Sequence, residues 1–135
     1  MTLAIETILS VLVFSTVVGA GAEPKDRWVC VEGGSWVPSA EMVARIKKQI
    51  ESFVSTQAKI EGRELQEWTS YTFQYQGQET HAEKYVFVNA FCVNDSAQHV
   101  NKEMVVAFDG GTCFFSLKYD PKENRFFDLL INGEA

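Results

Sequence analysis

The longest periodic pattern of apolar residues begins just after Pro38 and Ser39. Ser39 is the predicted N-cap, Glu41 lies in the first turn, and Gly62 is the predicted stop. The pattern predicts one long helix whose apolar stripe covers a sheet, with a membrane-surface or partner helix as the alternative. The stripe consists of Val43, Ile46, Ile50, Phe53 and Val54, and it continues to Ile60.

Beyond the helix, the alternation of apolar and polar positions is typical of β-strands. The polar segments 77–82 and 120–124 are predicted turns, 93–102 is a predicted polar loop, and a further apolar run covers 103–108. One helix and a meander of strands predict an α+β domain, with the helix packed on a four- to five-stranded antiparallel sheet. The predicted strands are 67–76, 83–92, 112–119 and 125–131, with a short strand at 27–31 before the helix.

The amino-terminal segment resembles a signal peptide. An apolar run from Ile8 to Val18 is followed by small residues at Ala20, Gly21 and Ala22. Cleavage is therefore predicted after Ala22, which leaves 23–135 as a single secreted or periplasmic domain without a stable membrane anchor. The run is shorter than the roughly 20 residues of a membrane span. An uncleaved anchor is the alternative.

The charge of the chain argues against two classes of partner. Twelve basic and 18 acidic residues give a net charge of −6, and no basic cluster is visible along the sequence. Nucleic acids and anionic membrane surfaces are therefore disfavoured partners. The aromatic content of 13% argues against a disordered chain.

Cysteine spacing predicts one disulfide. Cys92 ends one predicted strand and Cys113 begins its expected antiparallel neighbour, so the two would lie opposite each other at a Cα separation of ~4.5–5.5 Å. Closing this loop would contribute about 3 kcal/mol. Gly110 and Gly111 precede a strand, so a backbone bend is favoured over a phosphate-binding loop. Cys30 is expected to be buried and inert, with pairing to either other cysteine or an intermolecular bridge as alternatives.

The sequence contains no pattern that supports a catalytic site, a cofactor site or a metal site. His81 lies in a predicted turn and His99 in the polar loop, and neither spacing places a base beside Cys30. No catalytic, cofactor-binding or metal-binding residue is predicted. Asn94 lies in an Asn-Asp-Ser motif, which would be glycosylated only on a eukaryotic secretory route.

The order of the predicted elements resembles that of the cystatins, in which a short strand and a helix precede four strands. The resemblance covers nearly all of 23–135 and implies the fold. Cystatins inhibit proteases through an N-terminal glycine and two hairpin loops, and Gly33 or Gly34 matches the glycine. Residues 73–77 and 120–124, at the two loop positions, lack the inhibitory residues, so protease inhibition is disfavoured. The carboxyl-terminal segment also resembles small exported bacterial proteins without an assigned function.

A candidate partner surface consists of aromatic residues predicted to share the sheet face away from the helix. In the alternative arrangement, Trp28 and Trp36 cover these residues. The favoured function is a non-enzymatic exported protein that binds a protein or cell-envelope partner. The alternatives are a homodimer and an NTF2-like pocket protein or enzyme that uses Glu, Asp or His81. The candidate surface residues are Tyr85, Phe87, Phe91, Phe114, Phe126 and Trp68.

Overall fold

A computed structural model describes residues 27–92 and 100–134. The predicted signal peptide, Asn94 and His99 lie outside these ranges. No helix in the described part of the chain is long and apolar enough to cross a membrane. In chain order the elements are β1 (Trp28–Cys30), α1 (Ala40–Ile60), β2 (Thr72–Thr80), β3 (Glu83–Phe91), β4 (Phe114–Asp120) and β5 (Arg125–Ile131).

The five strands form one sheet in the order β1-β2-β3-β4-β5. The predicted α+β fold, one helix on a sheet, is confirmed. The sheet is mixed rather than fully antiparallel, because β1 runs parallel to β2, with Trp28 opposite Phe73. Helix α1 connects these two strands, and a helical crossover of this kind allows neighbours to run in the same direction.

Helix α1 begins where the sequence predicts. The Ser39 side chain accepts a hydrogen bond from the Met42 N–H at 3.2 Å, which caps the helix. The helix ends at Ile60, and Gly62 follows with a φ of +67°. Ile60 is 73% exposed, so the prediction that it extends the buried stripe is wrong. The buried stripe is Val43, Ile46, Ile50, Val54 and Ala58.

The hydrophobic core lies between α1 and one face of the sheet, which we call the helix face. Every second residue of β3 and β4 points into it, because side chains alternate between the two faces of a strand. Tyr71, which precedes β2, is fully buried in the same core. The strand residues of the helix face include Phe73, Val86, Val88, Ala90, Phe115, Leu117, Tyr119 and Ile131.

The structure differs from the prediction in one segment and defines a second, an apolar run for which no element is predicted. The first is 77–82, where β2 continues to Thr80 and the chain reverses in a two-residue turn at His81 and Ala82, with φ of +53° and +65°. Residues 73–77, placed by the cystatin resemblance in a hairpin loop, therefore lie inside β2. The second is 103–108, which forms no strand and crosses the outer face of the sheet.

The predicted disulfide between Cys92 and Cys113 is confirmed, with the two Cα atoms 5.1 Å apart. The predicted bend is also present, since Gly110 and Gly111 have φ of +94° and +61°. A Cβ at Gly110 would lie 2.6 Å from the Phe114 ring, so the bend needs glycine there. Cys30 is free and exposed. The prediction that it is buried is wrong, because β1 is a short edge strand.

Candidate binding surface on the outer face of the sheet

The outer face of the sheet, opposite the helix face, is organised around a buried amide. Gln74 in β2 is fully buried. Its Nε2 donates to the carbonyls of Val100 and Glu103, both at 2.8 Å. Its Oε1 accepts from the Val105 N–H at 2.8 Å and from Asn89 Nδ2 at 3.0 Å. All four hydrogen-bonding positions of this amide are therefore used.

These bonds hold 100–108, which we call the covering segment, against the outer face. Asn89 Nδ2 also donates to the Val105 carbonyl at 2.8 Å. Asn132, just after β5, donates to the carbonyl of Ala107 at 2.7 Å and to that of Asp109 at 3.1 Å. Side-chain amides thus provide hydrogen-bond partners for the backbone groups of an irregular segment that does not pair with a strand.

Because the covering segment is held through its backbone, some of its apolar side chains can remain exposed. Val106 is 72% exposed and Phe108 is 94% exposed. Leu130 in β5, two residues before Asn132, is 63% exposed. Phe87 is half-buried beside them. We call Phe87, Val106, Phe108 and Leu130 the outer-face patch.

A cleft of about 170 Å³ opens between the covering segment and the sheet. Phe87, Val106 and Leu130 of the patch line it, together with Met104 and Phe114. Its polar lining is limited to Asn89, Ser116, Asn132 and backbone atoms. None of the described side chains in the lining is ionisable. The cleft is therefore suited to receive an apolar group rather than to transfer protons.

The six predicted surface residues do not share one surface. Tyr85, Phe87 and Phe114 lie half-buried on the outer face, and Phe91 is almost completely buried there. The other two, Trp68 and Phe126, lie on the opposite side of the sheet.

Trp68 and Phe126 pack on the helix-face core, where the Trp68 ring lies 5.2 Å from that of Phe73. The prediction that they join the outer aromatic residues is therefore wrong. Trp68 lies in a short 3₁₀ turn before β2 rather than in a strand, so strand alternation does not apply to it. Trp28 and Trp36 also pack against the helix-face core, so they do not cover the outer face.

Three patch residues were missed from the sequence. Val106 and Phe108 belong to an apolar run that resembles a strand, and strand residues are expected to be half-buried. Leu130 follows a bulge at Asp128, whose φ is +52°, and its exposure depends on that irregularity. The sequence signal that could have identified Val106 and Phe108 is their position in an apolar run between a polar loop and two glycines.

Charged groups lie at the hairpin end of the outer face rather than in the cleft. Lys118 Nζ is 3.2 Å from Asp128 Oδ2 and 5.1 Å from the centre of the Tyr85 ring. Tyr85 donates a hydrogen bond to Gln78 Oε1 at 3.0 Å. His81, a predicted acid–base candidate, is exposed in the β2–β3 turn and does not line the cleft. Among the described residues, no group of three His, Cys, Asp or Glu could hold a metal ion.

Comparisons with known proteins assign no family to this chain. No protein-family model, no curated protein and no solved structure matches it. The resemblances to cystatins and to NTF2-like domains therefore remain predictions.

Proposed function

We propose that this chain is an exported, non-enzymatic binding protein that docks a partner protein through its outer-face patch. One observation supports the proposal above all others: the large exposed side chains Val106 and Leu130 line an apolar cleft, and Phe108, two residues after Val106, is 94% exposed. Single exposed apolar residues are common, but a contiguous group beside a cleft is typical of an interaction site.

The size and lining of the cleft favour a protein partner over a small molecule. Pockets for drug-sized ligands typically have volumes of about 300–1,000 Å³. The cleft, at about 170 Å³, is smaller and accommodates one apolar side chain of a partner. Its amides are occupied, since Asn89 and Asn132 hold the covering segment. These features support binding rather than the alternative of an acid–base enzyme.

Export is part of the proposal. Disulfides persist in oxidising compartments, and Cys92–Cys113 lies next to the covering segment. Together with the amino-terminal pattern, this supports cleavage after Ala22 and a secreted or periplasmic protein. The mass of the protein recovered from the exported fraction tests this step. A chain that retains Met1, or whose cysteines are all reduced, would contradict it.

Site-specific photo-crosslinking tests the docking surface. Benzoylphenylalanine replaces Phe108 in one variant and Ile60 in the other, and both are expressed in the native host. The matched control is Ile60, which is 73% exposed but lies at the end of α1. We expect a discrete adduct from position 108 and none from position 60.

A second substitution makes the result specific to the patch. Leu130→Ser in the position-108 probe should abolish the adduct, because it removes one wall of the cleft. Equal adducts from positions 108 and 60, or an adduct indifferent to Leu130→Ser, would contradict the proposal. An adduct with the mass of two copies of this chain would instead support the homodimer.

A further inference from the structure

A second surface lies on the opposite side of the molecule, in a groove between α1 and the start of β5. The groove has a volume of about 740 Å³. Along α1 it extends from Arg45 to Gln57, a length of about 18 Å at 1.5 Å per residue. Asn124, Arg125 and Phe126 form its other wall. We call it the cationic groove.

The charge of this groove is opposite to that of the chain. Arg45, Lys48 and Arg125 line it, and none of the described residues lining it is acidic. The described residues contain one ion pair, Lys118 with Asp128, so these three cations have no carboxylate within ion-pair distance there. On a chain of net charge −6, such a concentration of unpaired positive charge favours an anionic ligand.

The base of the groove is apolar. The rings of Phe53 and Phe126 are 5.3 Å apart, and both side chains are half-buried. Along the same wall, Gln49 and Gln57 add side-chain amides. The groove therefore offers cations, amide groups and an aromatic base, which together match a peptide with acidic side chains around an apolar one.

The neighbouring edge of the sheet limits how such a peptide could bind. Among the described strands, β5 pairs only with β4, so no strand covers its other edge. Arg63 donates to the carbonyls of Ile131 and Asn132 at the carboxyl-terminal end of this edge. The bulge at Asp128 interrupts the strand midway. Addition of a full-length strand is therefore disfavoured, and side chains in the groove would provide recognition.

From this arrangement we infer that the cationic groove binds an extended acidic peptide segment of a protein partner. The groove length of about 18 Å accommodates about five extended residues. The acidic side chains face Arg45, Lys48 and Arg125, while the central apolar side chain contacts Phe53 and Phe126. This site is separate from the outer-face patch and does not depend on its function.

Fluorescence polarisation with a labelled pentapeptide tests the inference. The probe has one leucine with two acidic residues on each side, and the control probe has the corresponding amides. We expect saturable binding of the acidic probe to the full chain, weakening as salt is raised through the range of physiological ionic strength. Arg45→Glu/Lys48→Glu should weaken it by about tenfold or more, because attraction becomes repulsion.

Lys102→Glu/Lys122→Glu is the matched control, since both lysines are exposed and outside the groove. It changes the net charge equally and should alter the affinity by less than about twofold. If the charge reversal unfolds the protein, Arg45→Gln/Lys48→Gln replaces it in the binding assay. The inference would be overturned if the acidic probe did not bind or if the amide probe bound equally well. It would also be overturned if the two charge reversals weakened binding of the acidic probe equally. Binding of a sulfated oligosaccharide without the peptide would overturn it also.

Discussion

The two faces of the sheet are covered by different physical means. Between α1 and the helix face, apolar side chains from both sides are fully buried among one another. They include Ile50 and Val54 of the helix and Val88 and Leu117 of the sheet. On the outer face, the central contact is the fully buried Gln74, whose amide bonds to backbone groups of the covering segment. The helix is held by non-directional apolar burial, and the covering segment by directional hydrogen bonds.

This difference indicates where binding surfaces can exist. A helix held by its apolar face must bury that face. A segment held through its backbone can leave Val106 and Phe108 exposed while every buried side-chain polar atom of the described residues is hydrogen-bonded. Stability and binding through the outer-face patch are therefore expected to depend on different faces.

The largest effect is expected from a cavity in the helix face. Leu117→Ala should lower the free energy of unfolding by about 4 kcal/mol, because Leu117 is fully buried and its removal leaves a void. Leu130→Ala is the matched control on the neighbouring strand. Leu130 is 63% exposed, so its loss should change stability by less than about 0.5 kcal/mol. Guanidinium unfolding measures the stability of both variants. Equal decreases in their free energies of unfolding would contradict the separation of stability and binding between the two faces.

The next effect concerns the disulfide that closes the chain around the covering segment. Cys92→Ser/Cys113→Ser should lower the free energy of unfolding by about 3 kcal/mol, since the bond closes a loop with a sequence separation of 21. Cys30→Ser, which breaks no bond, is the control and should match the parent protein. A double variant as stable as Cys30→Ser would show that the bond does not stabilise the fold.

A smaller and more local effect is expected from Gln74. Gln74→Met keeps the volume but removes the amide, which leaves backbone groups of the covering segment without partners. The free energy of unfolding should fall by about 2 kcal/mol. Amide hydrogen exchange should accelerate at Val105 more than at Val88 in the core. Gln76→Met is the control, because it loses the bond to the Glu32 carbonyl and the bond from Gln78 Nε2 but none to the covering segment. Uniform acceleration at both amides would show that the two faces unfold together.

Tyr71 provides a pH-dependent test of the helix face. Burial raises the pKa of Tyr71 above its usual value of 10.0. The hydrogen bond from the Gln66 N–H lowers this pKa, but its effect is smaller than that of burial. The folded state thus binds the phenolic proton more tightly than the unfolded state. The resulting stability is present below pH 10.0 and is lost as the pH rises through the raised value.

Tyr71→Phe should cost about 1 kcal/mol at neutral pH, because the hydroxyl donates to the Thr112 carbonyl. The variant should lose less stability above pH 10.0 than the parent protein does. Urea unfolding at several alkaline pH values measures this difference. Parallel pH profiles would show that the Tyr71 proton is not linked to folding.

The helix face was largely predictable from the sequence. The spacing of Val43, Ile46 and Ile50 identified the buried stripe, and Ser39 identified its start. The antiparallel pairing of neighbouring strands then placed Cys92, at the end of one, opposite Cys113, at the start of the next. These features depend on local periodicity and on neighbouring antiparallel strands, which a sequence displays directly.

The outer face and the groove were not predictable in the same way. Gln74 has no sequence signal for the contacts it makes with 100–105, because the partners are backbone atoms of an irregular segment. Arg125 lies far along the chain from Arg45 and Lys48, so no basic cluster is visible in the sequence. Only the packing of β5 beside α1 brings these charges together.

The separation of the two faces is tested most directly by the unfolding free energy of Phe108→Ser/Leu130→Ser. Because these side chains are exposed and do not stabilise the fold, the free energy should lie within about 0.5 kcal/mol of that of the parent protein. A loss of about 2 kcal/mol or more would mean that both residues are buried in the folded chain. The outer-face patch would then be structural.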